Sequence, residues 1–360
     1  MEKGAGASSM RAFRLYDPAP IETRPLRLEE VASPGPGPEQ ILIQVGACAL
    51  CRTDLHVVEG ELPVRRRPVT PGHQVVGTVV GIGPGGETDL AMGARVGVAW
   101  LHSTCGRCRF CLSGRENLCE AAAFTGWTED GGFAELLLAH PRFVYPLPAG
   151  LSDQAVAPLL CAGIIGFRAL AATGIGATRV GGASRTDPGP APWAGARLGI
   201  YGFGAAGHLA IQIARGRGAE VYVATRDRLK HQPLAEALGA AWVGDAKARP
   251  PVPLDAAIVF APAGDLVPPA LEALDRGGTL VLGGIHMSDI PALPYRLLYG
   301  ERVLRTVTNN TRQDGHRFLK EAARFGVKTE IELFPFEATP DALLALKRDG
   351  IRGAGVVLIG

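Results

Sequence analysis

A short apolar run at residues 198–201 leads directly into a turn with three spaced glycines, Gly202, Gly204 and Gly207, and a helical segment follows at 205–215. In such a turn the backbone N–H groups and the N-terminus of the helix can approach a pyrophosphate, because no side chain stands in the way. The three glycines alone are weak evidence, but the strand before them and the helix after them complete the pattern. The segment therefore predicts a strand–turn–helix unit that binds a dinucleotide.

The chain around this turn alternates between apolar strands and helical segments. Predicted strands lie at 198–201, 221–225, 256–260, 280–282 and 303–307, and predicted helices lie at 205–215 and 229–238. Strands that alternate with helices are typical of a parallel sheet with helices on both faces. We therefore expect an α/β domain with a doubly wound parallel sheet.

The first part of the chain has a different pattern. From about residue 11 to 147, short β-branched and apolar runs are separated by clusters of glycine and proline, which predicts a mostly β domain. The closing run at 355–359 is a strand of the same kind, so the C-terminal segment is expected to return to this domain. Since 360 residues exceed the usual size of one domain, we expect two domains. A surface loop is expected at 174–195, between the two patterns.

The charges of the chain argue against two classes of partner. Lys and Arg number 37 against 35 Asp and Glu, and the resulting net charge of +2 gives no strong field for nucleic acid or an anionic membrane. The sequence contains no apolar stretch of about 18 residues free of charge, and it does not start with a basic segment followed by an apolar run. We expect a cytoplasmic protein whose partner is a small molecule.

Four of the seven cysteines crowd into one short segment. Cys105, Cys108, Cys111 and Cys119 have the spacing C-x2-C-x2-C-x7-C. An odd number of cysteines does not suit a disulfide framework, whereas four thiolates this close can form a tetrahedral zinc site with no open position. Such a closed site is structural. An iron–sulfur cluster on the same four thiolates is the alternative, and the spacing does not decide between the two.

Three further motifs contain residues that can bind a metal. The first is the run Cys-Arg-Thr-Asp-Leu-His, which begins at Cys51 and ends at His56. In the second, His73 follows Gly72, and in the third, Cys161 is followed by Ala-Gly. Each of these residues alone has an ordinary explanation as packing or hydrogen bonding. Together with the four cysteines and the glycine-rich turn, in this order and at these distances, the motifs resemble the zinc-containing alcohol dehydrogenases of the medium-chain dehydrogenase/reductase family. The resemblance runs from about residue 10 to the end of the chain.

The resemblance implies how the two predicted domains are assembled. A GroES-like, β-rich catalytic domain would comprise residues 1–163 and 308–360 and carry a structural zinc lobe at about 103–120. A Rossmann dinucleotide-binding domain would comprise residues 164–307. The active site would lie in the cleft between the two domains.

The resemblance also implies the roles of the metal-site residues. Cys51, His73 and Cys161 would hold a catalytic zinc with a fourth position left for water or the substrate oxygen, and the four-cysteine lobe would hold a structural zinc. Thr53 would accept the proton of the alcohol first, and a relay through the cofactor ribose would reach His56.

Two neighbours of the catalytic zinc site follow from the same resemblance. Asp54 would orient His73 as a carboxylate behind the ligand. The family often has Glu after this histidine, where the present chain has Gln74, so the contribution of that carboxylate to ligand exchange and local charge is in doubt. Cys48 matches no ligand position and is interpreted as packing.

The cofactor contacts can be assigned in part. Arg52 and Arg312 match positions that contact the pyrophosphate in the family. At the end of the strand after the glycine-rich turn, a carboxylate would bind the ribose hydroxyls of NAD, and a basic group would bind the phosphate of NADP. The chain has Thr225 and Arg226 there, which favours NADP over NAD, with Asp227 as a possible displaced acid.

The resemblance places Trp100 and Trp127 along the substrate pocket. Two indoles narrow a pocket and exclude water, which favours primary or small secondary alcohols and their aldehydes or ketones. One alternative is a polyol or amino-alcohol dehydrogenase of the same family, which would need a more polar pocket. Another is a non-catalytic redox sensor that binds zinc and NADPH, which would not need an open metal position. Since the family forms dimers and tetramers, we expect a homodimer or homotetramer.

Overall fold

The structure is a computed structural model that describes residues 8–85, 89–147, 149–176 and 193–360. The greater part of the loop predicted at 174–195 lies outside these described residues. The chain forms two units. The first runs up to Cys161 and adds Asn310–His316 and Thr329–Gly360, and the second comprises Ala162–Asn309 and Arg317–Lys328. Each unit has its own sheet and its own apolar core.

The strands of the described residues are mostly short, as expected where glycine and proline interrupt the chain. They are β1 (Ser9–Leu15), β2 (Leu26–Ala32), β3 (Ile41–Ala49), β4 (Gln74–Ile82), β5 (Arg95–Val98), β6 (Leu101–Ser103), β7 (Ala123–Phe124), β8 (Leu136–Ala139), β9 (Val144–Pro146), β10 (Arg197–Tyr201), β11 (Glu220–Ala224), β12 (Trp242–Gly244), β13 (Leu254–Val259), β14 (Leu274–Leu282), β15 (Val303–Thr306), β16 (Ile331–Pro335) and β17 (Ala354–Leu358).

The α-helices of the described residues range from one turn to about four turns. They are α1 (Arg52–Glu59), α2 (Arg109–Leu112), α3 (Asp153–Val156), α4 (Ala162–Ala172), α5 (Ala205–Gly216), α6 (His231–Ala237), α7 (Val267–Ala273), α8 (Arg312–Phe325) and α9 (Thr339–Lys347). No single one of these helices is long and apolar enough to span a membrane.

The first unit is built on a largely antiparallel sheet with the order β16-β17-β3-β4-β5-β9, in which β8 also pairs with β3. β17 pairs with β3, so the closing strand of the chain joins strands of the first half. Fully buried β-branched side chains, among them Ile41, Ile43 and Val75, form the core beside this sheet. The turn after β3 and the turn before β4 carry two of the candidate metal ligands, and the sheet therefore fixes both.

The second unit contains six parallel strands in the order β12-β11-β10-β13-β14-β15. Numbered along the chain, this is the order 3-2-1-4-5-6 of the doubly wound dinucleotide-binding fold. Val259, Leu271 and Leu280 are fully buried and pack in the core of this unit. The predicted doubly wound parallel sheet is confirmed.

The predicted helix at 229–238 is observed two residues shorter at its start, as α6. The side chain of Asp227 is the reason, since its Oδ1 accepts hydrogen bonds from the backbone N–H groups of Leu229 at 2.9 Å and Lys230 at 2.8 Å. A carboxylate that binds the N–H groups of the next residues stabilises a turn in place of a helix.

Candidate active site

The first turn of α1 holds three of the predicted site residues in one hydrogen-bonded arrangement. Cys51 precedes the helix as its N-cap, and its Sγ accepts a hydrogen bond from the backbone N–H of Thr53 at 3.5 Å. In return, the carboxylate of Asp54 accepts from the backbone N–H of Cys51 at 2.8 Å. These reciprocal bonds satisfy N–H groups that a helix start leaves without partners, and they fix the direction of the Cys51 thiol.

His73 reaches the same place from the turn before β4. Gly72 has φ +97°, and a Cβ there would lie 2.8 Å from a ring carbon of Phe133 and 2.9 Å from the Phe133 backbone nitrogen, so the turn requires glycine. The His73 side chain is completely buried, and its Nδ1 forms a 2.8 Å hydrogen bond with Oδ1 of Asp54. Its Nε2 is buried as well and has no hydrogen-bond partner among the described residues.

The thiol of Cys161 completes a three-residue cluster. One ligand atom each from Cys51, His73 and Cys161 lie within 4.8 Å of one another, although the three residues are far apart in the sequence. A buried nitrogen without a partner costs about 1–3 kcal/mol, and a metal ion bound by it and by two thiolates removes that cost. The donor set therefore fits a zinc ion with three protein ligands and an open position.

The titrating groups of this cluster influence one another. Burial acts to lower the pKa of His73, but the charge and hydrogen bond of Asp54 outweigh it and raise the pKa to about 10. A hydrogen bond from Cys161 lowers the pKa of Cys51 well below its ordinary value, and the same bond raises the pKa of Cys161. Cys51 is thus the first of the two thiols to become a thiolate, which is the form that binds a metal.

The four cysteines of the second motif also meet at one point. Their sulfur atoms lie within 4.8 Å of one another, and three of the separations are 3.5, 3.6 and 4.0 Å. A tetrahedral zinc with Zn–S bonds of about 2.3 Å would place its sulfurs about 3.8 Å apart. Backbone N–H groups of Arg107 and Cys108 lower the pKa of Cys105 to about 6, which favours its thiolate. The arrangement fits a closed metal site.

The two candidate relay residues lie near Cys51 on α1. Thr53 is buried, and its hydroxyl oxygen lies 3.6 Å from the Cys51 sulfur. His56 is buried too, and its Nδ1 contacts the carboxylate of Glu61. Glu61 was not predicted from the sequence, because a single acidic residue beyond the end of a helix carries no distinct signal. Gln74, at the start of β4, is fully buried next to His73 in the chain.

The two arginines predicted to contact a pyrophosphate both bind carboxylates of the first unit. The guanidinium of Arg52 forms an ion pair with Asp349. The guanidinium of Arg312 forms a two-pronged ion pair with Glu116, with a shortest distance of 2.6 Å. Neither acidic partner could be expected from the sequence, since both lie far from their arginines along the chain.

Aromatic rings surround one side of His73. The ring of Trp100 contacts His73 edge-on at a centroid distance of 4.9 Å and stacks on Phe124 at 5.2 Å and on Trp127 at 5.8 Å. Trp127 also donates a 2.8 Å hydrogen bond from its indole nitrogen to the carbonyl of Pro63. The structure brings the two predicted tryptophans together and adds Phe124, which was not predicted from the sequence.

The glycine-rich turn of the second unit has the geometry that a phosphate site requires. Gly202 has φ +88°, and a Cβ there would lie 2.8 Å from the backbone nitrogen of Ala261. Gly204 precedes α5, and a Cβ there would meet no described atom within 4 Å. A Cβ on Gly207 would lie 2.9 Å from the carbonyl oxygen of Gly202. The first and third glycines therefore permit tight packing, while the second leaves space in front of the helix.

The residues after β11 contain no carboxylate in the position expected for an NAD site. Thr225 is buried, and its backbone N–H donates to the carbonyl of Gly244 at 2.9 Å. The carboxylate of Asp227, the candidate displaced acid, accepts hydrogen bonds from the backbone of the turn before α6. Arg226 is exposed to solvent.

Comparisons with known proteins agree along the whole chain. Residues 37–149 match the model of the alcohol dehydrogenase GroES-like domain, and residues 205–324 match that of the zinc-binding dehydrogenases. A probable alcohol dehydrogenase of Mycobacterium tuberculosis is 47% identical over 366 aligned positions, which cover 100% of both chains. An alcohol dehydrogenase of Geobacillus stearothermophilus is 34% identical over 93% of this chain and 97% of its own.

A solved structure shows the same similarity. The thermostable alcohol dehydrogenase of Pyrobaculum aerophilum, described with bound cobalt and zinc, is 25% identical and superposes with a TM-score of 0.84. The match covers 98% of this chain and 100% of that one.

Proposed function

The chain belongs to the zinc-containing alcohol dehydrogenases of the medium-chain dehydrogenase/reductase family, and we propose that Cys51, His73 and Cys161 hold its catalytic zinc. It is an NAD(P)-linked enzyme that interconverts alcohols with aldehydes or ketones. The observation that carries the zinc assignment is the buried His73 side chain. Its Nδ1 is bound to Asp54, whereas its Nε2 lacks a hydrogen-bond partner in the described part of the chain and lies beside the two thiols.

The residues around this site support alcohol chemistry. Zinc bound by two thiolates and an imidazole supplies a Lewis acid that lowers the pKa of an alcohol. Thr53 is the residue that we propose as the first proton acceptor. Its buried hydroxyl lies 3.6 Å from the sulfur of the proposed ligand Cys51, and therefore near the place of an alcohol oxygen bound to the same ion. His56 is the proposed end of the relay, and the carboxylate of Glu61 orients its ring.

We propose a second, structural zinc in the lobe formed by the four cysteines, so that each chain binds two zinc ions. The sulfur separations of 3.5 to 4.0 Å agree with a tetrahedral S4 site and leave no position for a substrate. Family membership favours zinc over the iron–sulfur alternative.

NADP is the cofactor that we favour over NAD. Arg226 is exposed after β11, where the additional phosphate of NADP would need a positive charge, and Asp227 is occupied as a turn acceptor. Gly202, Gly204 and Gly207 would hold the pyrophosphate at the start of α5, with Arg52 as a further contact that exchanges Asp349 for a phosphate.

A primary or small secondary alcohol is the proposed substrate, since the aromatic cluster of Trp100, Phe124 and Trp127 lies against the metal ligand His73. Flat apolar walls favour aliphatic or benzylic groups. A polyol would find no comparable set of polar side chains in this cluster. A redox sensor would have no use for the buried hydroxyl of Thr53 beside an open metal position.

We propose that the catalytic domain comprises residues 1–163 and 308–360 and that the dinucleotide-binding domain comprises residues 164–307.

We also propose that two or four chains assemble and that the protein is cytoplasmic. The sheet of the second unit supports assembly, because β15 pairs with β14 alone among the described strands and leaves its other edge unpaired. Tyr295 and Tyr299, both strongly exposed, precede that edge strand. Seven free thiols, most of them in candidate metal sites, suit a reducing compartment.

The experiment that tests the proposed function is turnover at 340 nm with a panel of alcohols and aldehydes and with both cofactors. We expect activity in the native chain and its loss in Cys51→Ser. Cys48→Ser is the matched control, because Cys48 is a fully buried cysteine of the same segment that is not a proposed ligand. Activity that survives in Cys51→Ser would refute the catalytic zinc site.

A further inference from the structure

We propose that Glu116 and Arg312 form a tether that keeps the four-cysteine lobe closed around its zinc, and that Arg312 is a positioning residue for this lobe in place of a pyrophosphate contact. The inference rests on the structural zinc of the proposed function. The property that the tether would set is the rate at which the lobe releases its zinc. Neither family membership nor the four cysteine ligands alone determine that rate.

Glu116 binds both the backbone and the side chain of Arg312. Its Oε1 accepts from the backbone N–H of Arg312 at 2.8 Å and from Nε at 3.1 Å, and its Oε2 accepts from Nε at 3.0 Å and from Nη2 at 2.6 Å. The Glu116 side chain is only 9% exposed. The planar guanidinium and the carboxylate therefore meet in the two-pronged geometry that gives the strongest ion pairs.

Arg312 is itself held by its place at a helix start and by an aromatic ring. It is the first residue of α8, and its guanidinium lies 4.7 Å from the centre of the Phe143 ring. Thr311 and Asp314 bind each other reciprocally at the same helix start, with distances of 2.8 and 3.1 Å. An anion is favoured at a helix N-terminus, and the carboxylates of Asp314 and Glu116 both bind backbone N–H groups at this end of α8. A pyrophosphate would be a third anion at this place, and it would have to displace Glu116 from Arg312.

The tether acts on the lobe through the ligand Cys119. Glu116 begins a short 3-10 helix, Glu116–Leu118, and its carbonyl oxygen accepts from the backbone N–H of Cys119 at 3.0 Å. Apolar packing contributes little to this part of the lobe, because Leu112 is 76% exposed and Leu118 is 38% exposed. Glu116 is therefore a main anchor of the segment between the third and fourth thiols, and its loss would let Cys119 move away from the other three.

The test measures zinc release from the lobe and cofactor binding in the full-length chain. Transfer of zinc to a colorimetric chelator is followed in a Cys51→Ser background, where only the lobe zinc should remain. Glu116→Gln and Arg312→Lys are compared singly and together. Glu120→Gln is the matched control, because it removes the same charge from an exposed position beside Cys119. NADPH dissociation constants are measured by fluorescence for the same substitutions in the otherwise native enzyme, which also shows that the variants fold.

We expect each of the two variants to release the lobe zinc about tenfold faster or more, by analogy with the effect of losing an outer-sphere partner of a metal site. The double variant should be no faster than the faster single one, Glu120→Gln should behave like the native chain, and the NADPH dissociation constants should stay within about twofold. Unchanged zinc release in both variants would overturn the tether. So would a weaker NADPH affinity in Arg312→Lys alone, which would return Arg312 to the cofactor. A native lobe without zinc would overturn the structural zinc together with the tether.

Discussion

Asp54→Asn tests the proposed catalytic site without touching a ligand. Asp54 is 2% exposed, and each of its carboxylate oxygens is used: Oδ2 accepts from the Cys51 backbone N–H and Oδ1 pairs with Nδ1 of His73, both at 2.8 Å. Asparagine has nearly the same shape but offers one acceptor oxygen and one N–H2 group. One of the two donors must then face another donor, and the negative charge behind His73 is lost.

The size of the effect follows from these contacts. A buried donor left without an acceptor costs about 1–3 kcal/mol. Since 1.36 kcal/mol corresponds to a factor of ten in an equilibrium constant, this is a loss of zinc affinity of about 5- to 150-fold. Substitution of carboxylates behind histidine ligands generally costs about 10- to 100-fold, which lies in the same range.

The assay is competition for zinc between the protein and a chelator of known affinity, with the zinc of the four-cysteine lobe as an internal control. We expect the catalytic-site affinity to fall by about 10- to 100-fold in Asp54→Asn while lobe zinc is retained. Asp153→Asn, which alters a partly exposed carboxylate that pairs with Arg95, should change neither. An Asp54→Asn protein whose catalytic-site zinc affinity stays within about twofold of the native value would show that Asp54 does not support the zinc ligand His73.

Three further predictions use other parts of the chain. Thr53→Val should lower kcat by about a hundredfold or more with an unchanged cofactor dissociation constant, as steady-state and binding measurements will show. Arg226→Gln should raise the KM for NADP about tenfold and leave that for NAD unchanged, because only NADP places a phosphate there. Burial lowers the pKa of His208 from 6.5 to about 4, so its contribution to stability is complete above pH 6.5 and is lost as the pH falls toward 4. His208 should therefore contribute about 2 kcal/mol less to the free energy of unfolding at pH 5 than at pH 7.5. In urea unfolding, His208→Asn should reduce the difference between the two pH values by that amount and leave the share of His102, whose pKa burial also lowers to about 4.

The parts of the fold that could be predicted are those with a local cause. The glycine-rich turn after β10 lies where three glycines, a preceding apolar run and a following helical pattern predict it. The short apolar run at 41–45 begins a strand, β3, that continues through Gly46 to Ala49. A register shift between Val45 and Ala47 absorbs the glycine as a bulge, and pairing with strands distant in sequence sustains it.

The candidate site was predictable for a different reason. Cys51, His73 and Cys161 share no local pattern, and only the resemblance to a family brought them together before the structure placed their ligand atoms within 4.8 Å. The acidic partners of the two candidate cofactor arginines, Arg52 and Arg312, could not be predicted. Glu116 and Arg312 are 196 positions apart, and no periodicity or spacing rule connects two such residues.

Zinc analysis of three purified chains shows which cysteine cluster holds the ion that supports turnover. The native chain should contain two zinc ions, Cys51→Ser should keep one and lose turnover, and Cys108→Ser should lose the zinc of the lobe. This result would show that each cluster binds one zinc ion and that turnover depends on the ion held by Cys51, His73 and Cys161. Two zinc ions and full turnover in Cys51→Ser, or a native chain with zinc only in the lobe, would contradict a catalytic zinc at Cys51, His73 and Cys161.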